Sequence, residues 1–595
     1  MKKIWVVALS SSQDETLEAL ADAGVLHVEH VREPVSGDTE SSRARIDSYE
    51  KALAGLKAAG RKKHQGERAD ADGHATASDV HEVLDRIAQS EARIEHLDNQ
   101  VVLLDPLGDF DPLDFSRLKS AGLFAKLYAA DAGELEKTDI ETDHFVVGSS
   151  GPTRFLLVVS EQDVDLPFDE VPLPDLGLEE TRKVMAEEQE RLASLRDELR
   201  DLAKFIPAIR QALARERNRL AFAEAAAGMT RSGGIVALTG YCPERDISRL
   251  KQAAEDLGFG MATMNPPEPA QAPTHLENPA WVRMIHPVFN YMGTLPGYEE
   301  RDVSFWFLAA LALFFAMLVG DGGYGLLFLA GTVAARIIWR KARPEPFGLL
   351  TVFSLATIAW GAASGTWFGV KAVAGWPWFR DVVVPQLSSW EDNQDFLIAL
   401  CFVIGLVHLL VAHLLHAVRV APSPKVLSDL GWMATLVVLY LAAGFFVLGK
   451  PMPGWSLYVL AVGAFFAGAF DGFERPRLRS MGAGLANLPL GLIGAFSDLV
   501  SYLRLFAVGY ATLVIAVSFN EMAAGLYGGG LATGIAATLV LLLGHAMNMA
   551  MAAMGVLVHG IRLNLLEFST HVGLTWSGRP YQPFGNTEAM DREAT

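Results

Sequence analysis

Two kinds of hydrophobic patterning divide the chain near residue 300. Before that point short apolar runs alternate with amphipathic stretches. "KIWVVAL", "DETLEALADAG" and "VLHVEHV" read as strand, helix and strand, and similar patterns return around "GLFAKLYAADAGELE", "HFVVGSS", "RFLLVVS" and "GGIVALTGYCPERDISRLKQAAEDLGFGMATM". They predict two small α/β lobes. Between the lobes Val80, Val83, Ile87, Ser90, Ile94, Leu97, Val101 and Leu104 step by three and four residues. Leu192, Leu195, Leu199, Leu202, Ile206, Ile209 and Leu213 do the same farther on. Charged residues fill most other positions, so the two segments are expected to pair as an antiparallel coiled coil that spaces the lobes. Pro207 interrupts the second segment and the heptads are short, so a helical bundle inside one compact domain is the alternative.

From 303 onward apolar runs of spanning length recur at roughly 303–320, 323–339, 348–369, 396–418, 430–449, 455–470, 488–520 and 531–568. The pattern predicts an α+β domain over 1–290, an all-α polytopic domain with eight transmembrane helices over 291–575, and a tail over 576–595. The last two runs exceed the ~20 residues that cross a bilayer upright, so they are expected to tilt strongly or project beyond it.

Charge sharpens this division. The net charge is −19, yet residues 303–595 hold 16 Lys/Arg against 15 Asp/Glu, so the acidity belongs to the first half. An acidic surface without a basic patch argues against a nucleic-acid partner. The opening "MKKIWVVALSSSQDE" has too short an apolar stretch for a signal peptide, so the N-terminus is expected to stay in the cytoplasm. An even number of spans then returns the C-terminus to the same side of a multi-pass cell-membrane protein. With that orientation the cytoplasmic loops hold Arg336, Arg340, Lys341, Arg343, Arg419, Lys425, Arg475, Arg477 and Arg479, nine basic residues. The opposite loops hold three, Lys371, Arg380 and Lys450, as the positive-inside rule expects.

Conventional chemistry is sparse. Cys242 and Cys401 fall in different halves and fit neither a disulfide framework nor a metal site. "GGYG" at 322–325 and "GGG" at 528–530 lack the lysine and strand context of a nucleotide site, and no cofactor is implied. The soluble half therefore reads as a binding scaffold.

The unusual residues are two arginines inside the longest apolar runs, Arg504 in "SYLRLFAVG" and Arg562 in "LVHGIRLNLLEF". A charge at mid-bilayer costs at least ~2.5–3.5 kcal/mol on insertion scales and normally faces a partner charge or water. For Arg562 snorkelling near a helix end is the bland reading. At helical spacing Arg504 shares a face with Ser497, Ser501, Val508, Ala511, Ile515 and Ser518. Arg562 shares one with His545, Asn548, Ala552, Gly555, His559, Leu566 and Ser569. Asp498, six residues before Arg504, is not on its α-helical face, so a direct ion pair between them is not expected. His408, His413 and His416 are expected to be packed or hydrogen-bonded. Guanidinium stays protonated, so it cannot relay a proton, but it attracts a carboxylate and holds it ionised. Carboxylates carried past this face would lose an ion on approach and regain one beyond it. Separate aqueous half-channels on the two sides of the arginine would make that exchange directional.

These segments resemble a known family, subunit a (also called subunit I) of the rotary V-type and A-type ATPases. The resemblance runs over the whole chain. It rests on "LENPAWVRMIHPVFNYMGTLPGYEERDVSFWFLAALALFFAMLVGDGGYG", "IAWGAASGTWFG", "SYLRLFAVG", "LVHGIRLNLLEF" and "GRPYQPFG", in that order. It implies a non-catalytic subunit whose cytoplasmic arm contacts peripheral stalks and the rotor-cap subunit. Its membrane domain would cup a rotor ring of small carboxylate-bearing membrane subunits and pass protons or sodium. It also implies that Arg504 and Arg562 are the family's two essential arginines. Three family positions depart: Thr512 stands where a histidine is common, Ala552 where eukaryotic relatives have an acid, and Gly491 or Leu490 where another acid is expected. Half-channel carboxylates are therefore sought at Asp498, Glu567 and Glu521, with Ser497, Ser501, His545, Asn548 and His559 as further lining, and Asp321 is read as structural. The competing reading is a self-sufficient secondary transporter with a regulatory domain. Such folds show paired broken helices, and only "GDGGYG" offers one here.

Overall fold

The computed structural model describes residues 1–29, 37–60, 66, 68–108, 111–135, 137–138, 140, 142–172, 176–340, 342–388, 390, 393–471, 477–528 and 530–585. They form two compact units, one of 4–263 with 583–585 and the other of 1–3 with 264–582. The tail that the sequence pattern starts at 576 is thus divided between them.

In the first unit the chain runs through β1 (Lys2–Leu9), α1 (Gln13–Ala23) and β2 (His27–Glu29) into α2 (Gly37–Ala59) and α3 (Gly73–Leu104). Four strands follow: β3 (Phe124–Asp131), β4 (His144–Ser150), β5 (Thr153–Ser160) and β6 (Asp169–Val171). The return path is α4 (Leu178–Leu202), α5 (Ile206–Gly228), β7 (Thr230–Ser232), β8 (Ile235–Cys242), α6 (Ile247–Leu257) and β9 (Gly260–Met264). One sheet has the order β2-β8-β1-β9 with β7 also on β8, and the other β4-β5-β3-β6. The first lobe is therefore built from both ends of the soluble half and the second from its middle. The period of two explains the first: Ile4, Val6 and Ala8 of β1 are buried while Val7 and Leu9 are exposed.

Among the described residues the long connecting helices number four. Val80, Val83, Leu97, Leu104, Leu192, Leu195, Leu199, Ile209 and Leu213 are buried, and none of the remaining stepping residues is exposed. Polar Ser90 in that stripe donates to Glu188 of α4 at 2.6 Å, which satisfies it. The sequence pattern misses α2, whose Tyr49, Ala52, Leu53 and Leu56 share a core with Ile209 and Leu213 of α5. Pro207 sits in the first turn of α5, after a short 3₁₀ turn at Ala203–Phe205, so it starts a helix instead of breaking one. Ion pairs join low-numbered residues of the outgoing helices to high-numbered ones of the return, Arg43–Glu224 (2.7 Å), Glu50–Arg217 (2.7 Å), Glu91–Arg196 (2.8 Å) and Asp105–Arg182 (2.6 Å), an antiparallel order. Exposed pairs contribute only about 0–1 kcal/mol each, so they set register while the apolar stripe supplies stability.

The second unit is helical. Each apolar run has its helix: α7 (Ser304–Val319), α8 (Gly322–Ile338), α9 (Pro344–Ser364), α10 (Gln394–Val420), α11 (Val426–Leu448) and α12 (Ser456–Asp471). They are followed by α13 (Arg477–Ser501), α14 (Leu503–Leu526) and α15 (Leu531–Gly555). Among the described residues five helical stretches are long and apolar enough to cross a membrane: α9, α10, α11, 481–526 and 531–572. The helices α7, α8 and α12 are shorter, at 16, 17 and 16 residues. Asp321 caps α8 and accepts four backbone N–H groups, from Gly323 (2.8 Å), Tyr324 (3.3 Å), Phe368 (2.8 Å) and Gly369 (3.0 Å). It thereby ties the α7–α8 turn to the segment after α9. Gly361 lets those parts touch, since a Cβ there would collide with the backbone of Gly322.

The stretch after the last helix folds back on two sites. Glu300 accepts from Gly297 N–H (2.7 Å) and Thr575 N–H (2.7 Å), and Gly578 N–H donates to Leu295 (3.0 Å). Burial raises the Glu300 carboxyl, but the Thr575 hydroxyl and the N–H groups of Gly297, Thr575 and Trp576 outweigh it and hold it below the ordinary glutamate range. Farther on, Phe584 belongs to the core of the first lobe: its N–H donates to Leu26 (2.7 Å) and its ring lies 5.0 Å from Phe222.

Candidate functional site

Arg504 lies at the start of α14, directly after a joint. The run read as one helix over 488–520 is two, separated at Tyr502. The Tyr502 ring is fully buried beside Gly405 of α10, and its hydroxyl bonds His408 Nδ1 at 2.7 Å. His408 in turn stacks on Phe568, with ring centroids 4.3 Å apart. This packing fixes where α14 begins.

Arg562 lies where the last helix departs from α geometry. After Gly555 it continues through two π-helical stretches, Val556–Gly560 and Leu563–Phe568, before a final turn at Ser569–Val572. With i→i+5 bonding, a residue five positions on comes back to the same face. Arg562 therefore meets Glu567, with Nε 3.5 Å from Oε1, while Leu566, which α-helical spacing selects, is exposed. The same oxygen lies 3.6 Å from a terminal nitrogen of Arg504. Two arginines 58 positions apart thus converge on one buried carboxylate (562 − 504 = 58). The Glu567 side chain is 3% exposed, against 23% for Arg504 and 52% for Arg562.

Two polar networks lie on either side of this centre along the last helix. Toward its C-terminal end His571 Nε2 bonds Asp498 Oδ2 (3.1 Å) and its Nδ1 bonds His413 Nε2 (2.9 Å). His413 Nδ1 contacts Asp429 (3.0 Å), which also contacts His416 (2.9 Å). The chain joins α10, α11, α13 and the last turn, and it lines a pocket of about 430 Å³. Asp498 is thus paired with His571. The sequence reading missed His571, Asp429 and the linkage of His413 to His416. The three-residue spacing of those two histidines is the signal that was available.

Toward the other end, His545 bonds the Tyr324 hydroxyl (2.8 Å) and the Asn520 side chain (3.1 Å). Asn548, fully buried, donates to the same Tyr324 hydroxyl (3.0 Å) and to the Thr512 carbonyl (2.7 Å). Thr512 serves as a helix contact, its hydroxyl reaching the Gly509 and Val319 carbonyls. His545 precedes Arg562 by 17 positions and His571 follows it by 9, so at about 1.5 Å per residue the networks flank the arginines axially. Ser497 is exposed, and Ser501 bonds back to its carbonyl (2.9 Å), so neither joins a network among the described residues. His559 is half-buried, with a buried Nδ1 that has no partner among the described residues. Glu521 is exposed. No cluster of three or more metal-ligating side chains suited to an ion occurs among the described residues.

No protein-family model matches the chain. It is 30% identical over 636 residues to "V-type ATP synthase subunit I 1" of Treponema pallidum (strain Nichols), covering 98% of this chain and 99% of that one. The chain belongs to the V-type/A-type ATP synthase subunit I family. It is 28% identical over 610 residues to the V-type ATP synthase subunit I of Borreliella burgdorferi, with 98% of each chain covered. The A-type ATP synthase subunit I of Archaeoglobus fulgidus is 26% identical over 404 residues, 60% of this chain and 59% of that one. A crystal structure of the cytoplasmic N-terminal domain of subunit I of V-ATPase aligns in full with 44% of this chain at 18% identity, with a TM-score of 0.25, too low to argue a shared fold from it. Family membership and the five long apolar stretches make the second unit a membrane unit.

Proposed function

We propose that the chain is the stator membrane subunit of a rotary V/A-type ATPase, non-catalytic itself, which couples rotation of a carboxylate-bearing ring to proton or sodium transport. The observation that carries this reading is the convergence of Arg504 and Arg562 on one face between two hydrogen-bonded polar networks. A ring carboxylate arriving in neutral form meets the arginines, becomes an anion and releases its ion into one network. Past the arginines it takes up an ion from the other. The Asp498–His571–His413–Asp429–His416 chain with its pocket serves the cytoplasmic half-channel, and His545, Asn548, Tyr324 and Asn520 serve the opposite one.

Eight membrane crossings and cytoplasmic termini belong to the same proposal. Phe584, beyond the last helix, sits in the lobe that begins with β1, which favours an even number of crossings. Five long apolar stretches plus the three shorter helices make eight. Seven of the nine basic residues assigned to the cytoplasmic side are described, while Lys341 and Arg475 lie outside the described residues. The four long helices of the first unit act as a coiled-coil spacer between lobes that bind peripheral-stalk and rotor-cap subunits.

The test is the assembled complex carrying Arg504→Ala, reconstituted in vesicles, with ATP-driven acidification and ATP hydrolysis recorded beside wild type and Arg562→Ala. Loss of pumping in an intact complex is expected. Retained pumping with Arg504→Ala overturns the reading.

A further inference from the structure

We infer that Glu567 is a built-in counter-anion, a positioning residue that covers both guanidinium groups when no ring carboxylate faces them and yields to one that arrives. The inference rests on the reading of Arg504 and Arg562 given above and deepens it.

Three observations carry it. First, the contacts are loose. A charge-assisted arginine–carboxylate hydrogen bond closes to about 2.7–2.9 Å, as Arg43–Glu224 and Arg196–Glu91 do at 2.7 and 2.8 Å. At Glu567 a single oxygen is shared at 3.6 and 3.5 Å. Coulomb attraction holds the three groups together while the guanidinium donors stay available. Second, burial is graded. Glu567 is 3% exposed and lies behind the arginines, whose side chains are 23% and 52% exposed, so a visiting carboxylate reaches the cations without meeting the anion first. Its other oxygen, Oε2, is buried and has no hydrogen-bond partner among the described residues, so the two arginines are the cations that balance it there. Third, the backbone is adapted to the contact. Only the π-helical stretch at Leu563–Phe568 brings a residue five positions after Arg562 onto its face. The neighbouring carboxylate, Asp498, is engaged by His571 at 3.1 Å, and the Tyr502 hydroxyl by His408 at 2.7 Å, so neither takes this place.

The consequence is a centre of net charge +1. One ring carboxylate neutralises it, and Glu567 takes the guanidinium groups back as that carboxylate leaves. Without Glu567 the centre carries +2 and holds each carboxylate longer.

The experiment uses the reconstituted complex with Glu567→Gln, Glu567→Asp and Arg504→Ala, with subunit composition checked by native electrophoresis. Glu567→Gln is expected to assemble. It should slow pumping and coupled hydrolysis at saturating ATP by roughly tenfold, equivalent to about 1.4 kcal/mol of barrier. The rate at limiting ATP, where nucleotide binding is slowest, should be unchanged, and Glu567→Asp should recover most of the loss. Wild-type rates in Glu567→Gln with Arg504→Ala inactive overturn the counter-anion and leave the arginine reading standing. Pumping by Arg504→Ala overturns both. Failure of both Glu567 variants to assemble makes Glu567 a packing residue and overturns the inference.

Discussion

Asp321→Asn tests whether the turn between α7 and α8 is held by one side chain. In the structure Oδ1 accepts from Gly323, Tyr324 and Phe368 and Oδ2 from Gly369, all at 2.8–3.3 Å, and the residue is 3% exposed. Phe368 is held at φ 51°, a left-handed conformation that costs a bulky residue of order 1–3 kcal/mol. Its carbonyl accepts from Asn520 (2.7 Å), which bonds His545, so the strain is anchored at both ends. Asparagine keeps one acceptor oxygen but turns an NH₂ toward the Gly369 N–H. One charge-assisted bond is lost and a donor is left facing a donor, a cost of about 2–4 kcal/mol. Alanine strands the four N–H groups, three of them buried and that of Phe368 half-buried, at about 1–3 kcal/mol for each buried one, a sum comparable to the whole stability of a domain. The assay is thermal unfolding of the detergent-purified full chain, together with amide exchange at 366–369. The expected order is wild type, then Asn, then Ala, with exchange rising at Phe368 and Gly369 first. If the Asn variant unfolds with wild type, or Ala is no worse than Asn, the capping argument is refuted.

Three further outcomes are expected. Phe584→Ala removes a ring from the first lobe's core and should destabilise that lobe by about 3–5 kcal/mol, read as faster amide exchange at Leu26 and Phe222 in the full chain. Gly361→Ala places a Cβ against the Gly322 backbone and should lower yield and melting temperature, whereas Gly331→Ala, with open space around it, should change neither. Glu300, held below its ordinary range, contributes stability that is present above the unfolded carboxyl value and is lost as pH falls through the lower folded one. Proteolysis around 575–582 should therefore stay slow at neutral pH and accelerate below about pH 4.5, while Glu300→Gln should be susceptible at both.

Strand and helix positions in the first unit follow from local periodicity, and β1, β3, β5 and β8 lie where alternation places them. What failed was α2, because "KALAGLKAAG" offers mostly alanine and glycine and its partner α5 lies some 170 positions away, as the Glu50–Arg217 pair shows (217 − 50 = 167). In the membrane unit the eight apolar runs are visible as composition, yet 16- and 17-residue helices fall short of an upright span by length alone. Arg504 and Arg562 stand out because charge is costly in such segments. Glu567 does not, since counting by 3.6 places Leu566 on the Arg562 face and only the π-helical backbone reverses that choice. The Asp429–His413–His571–Asp498 chain draws on four helices, and no local pattern encodes contacts of that separation.

The widened turn also makes the last helix asymmetric toward changes in its length. A π-helical turn is in effect an α-helical turn with one residue added. Removing one residue between Arg562 and Glu567 and relaxing to α geometry leaves the pair four apart, still neighbours on one face. Adding one residue leaves them six apart and on different faces, with no wider regular turn to absorb the excess. Insertions and deletions here are therefore unequal events, and a shortened "RLNLEF" should keep the three-charge contact that a lengthened segment destroys.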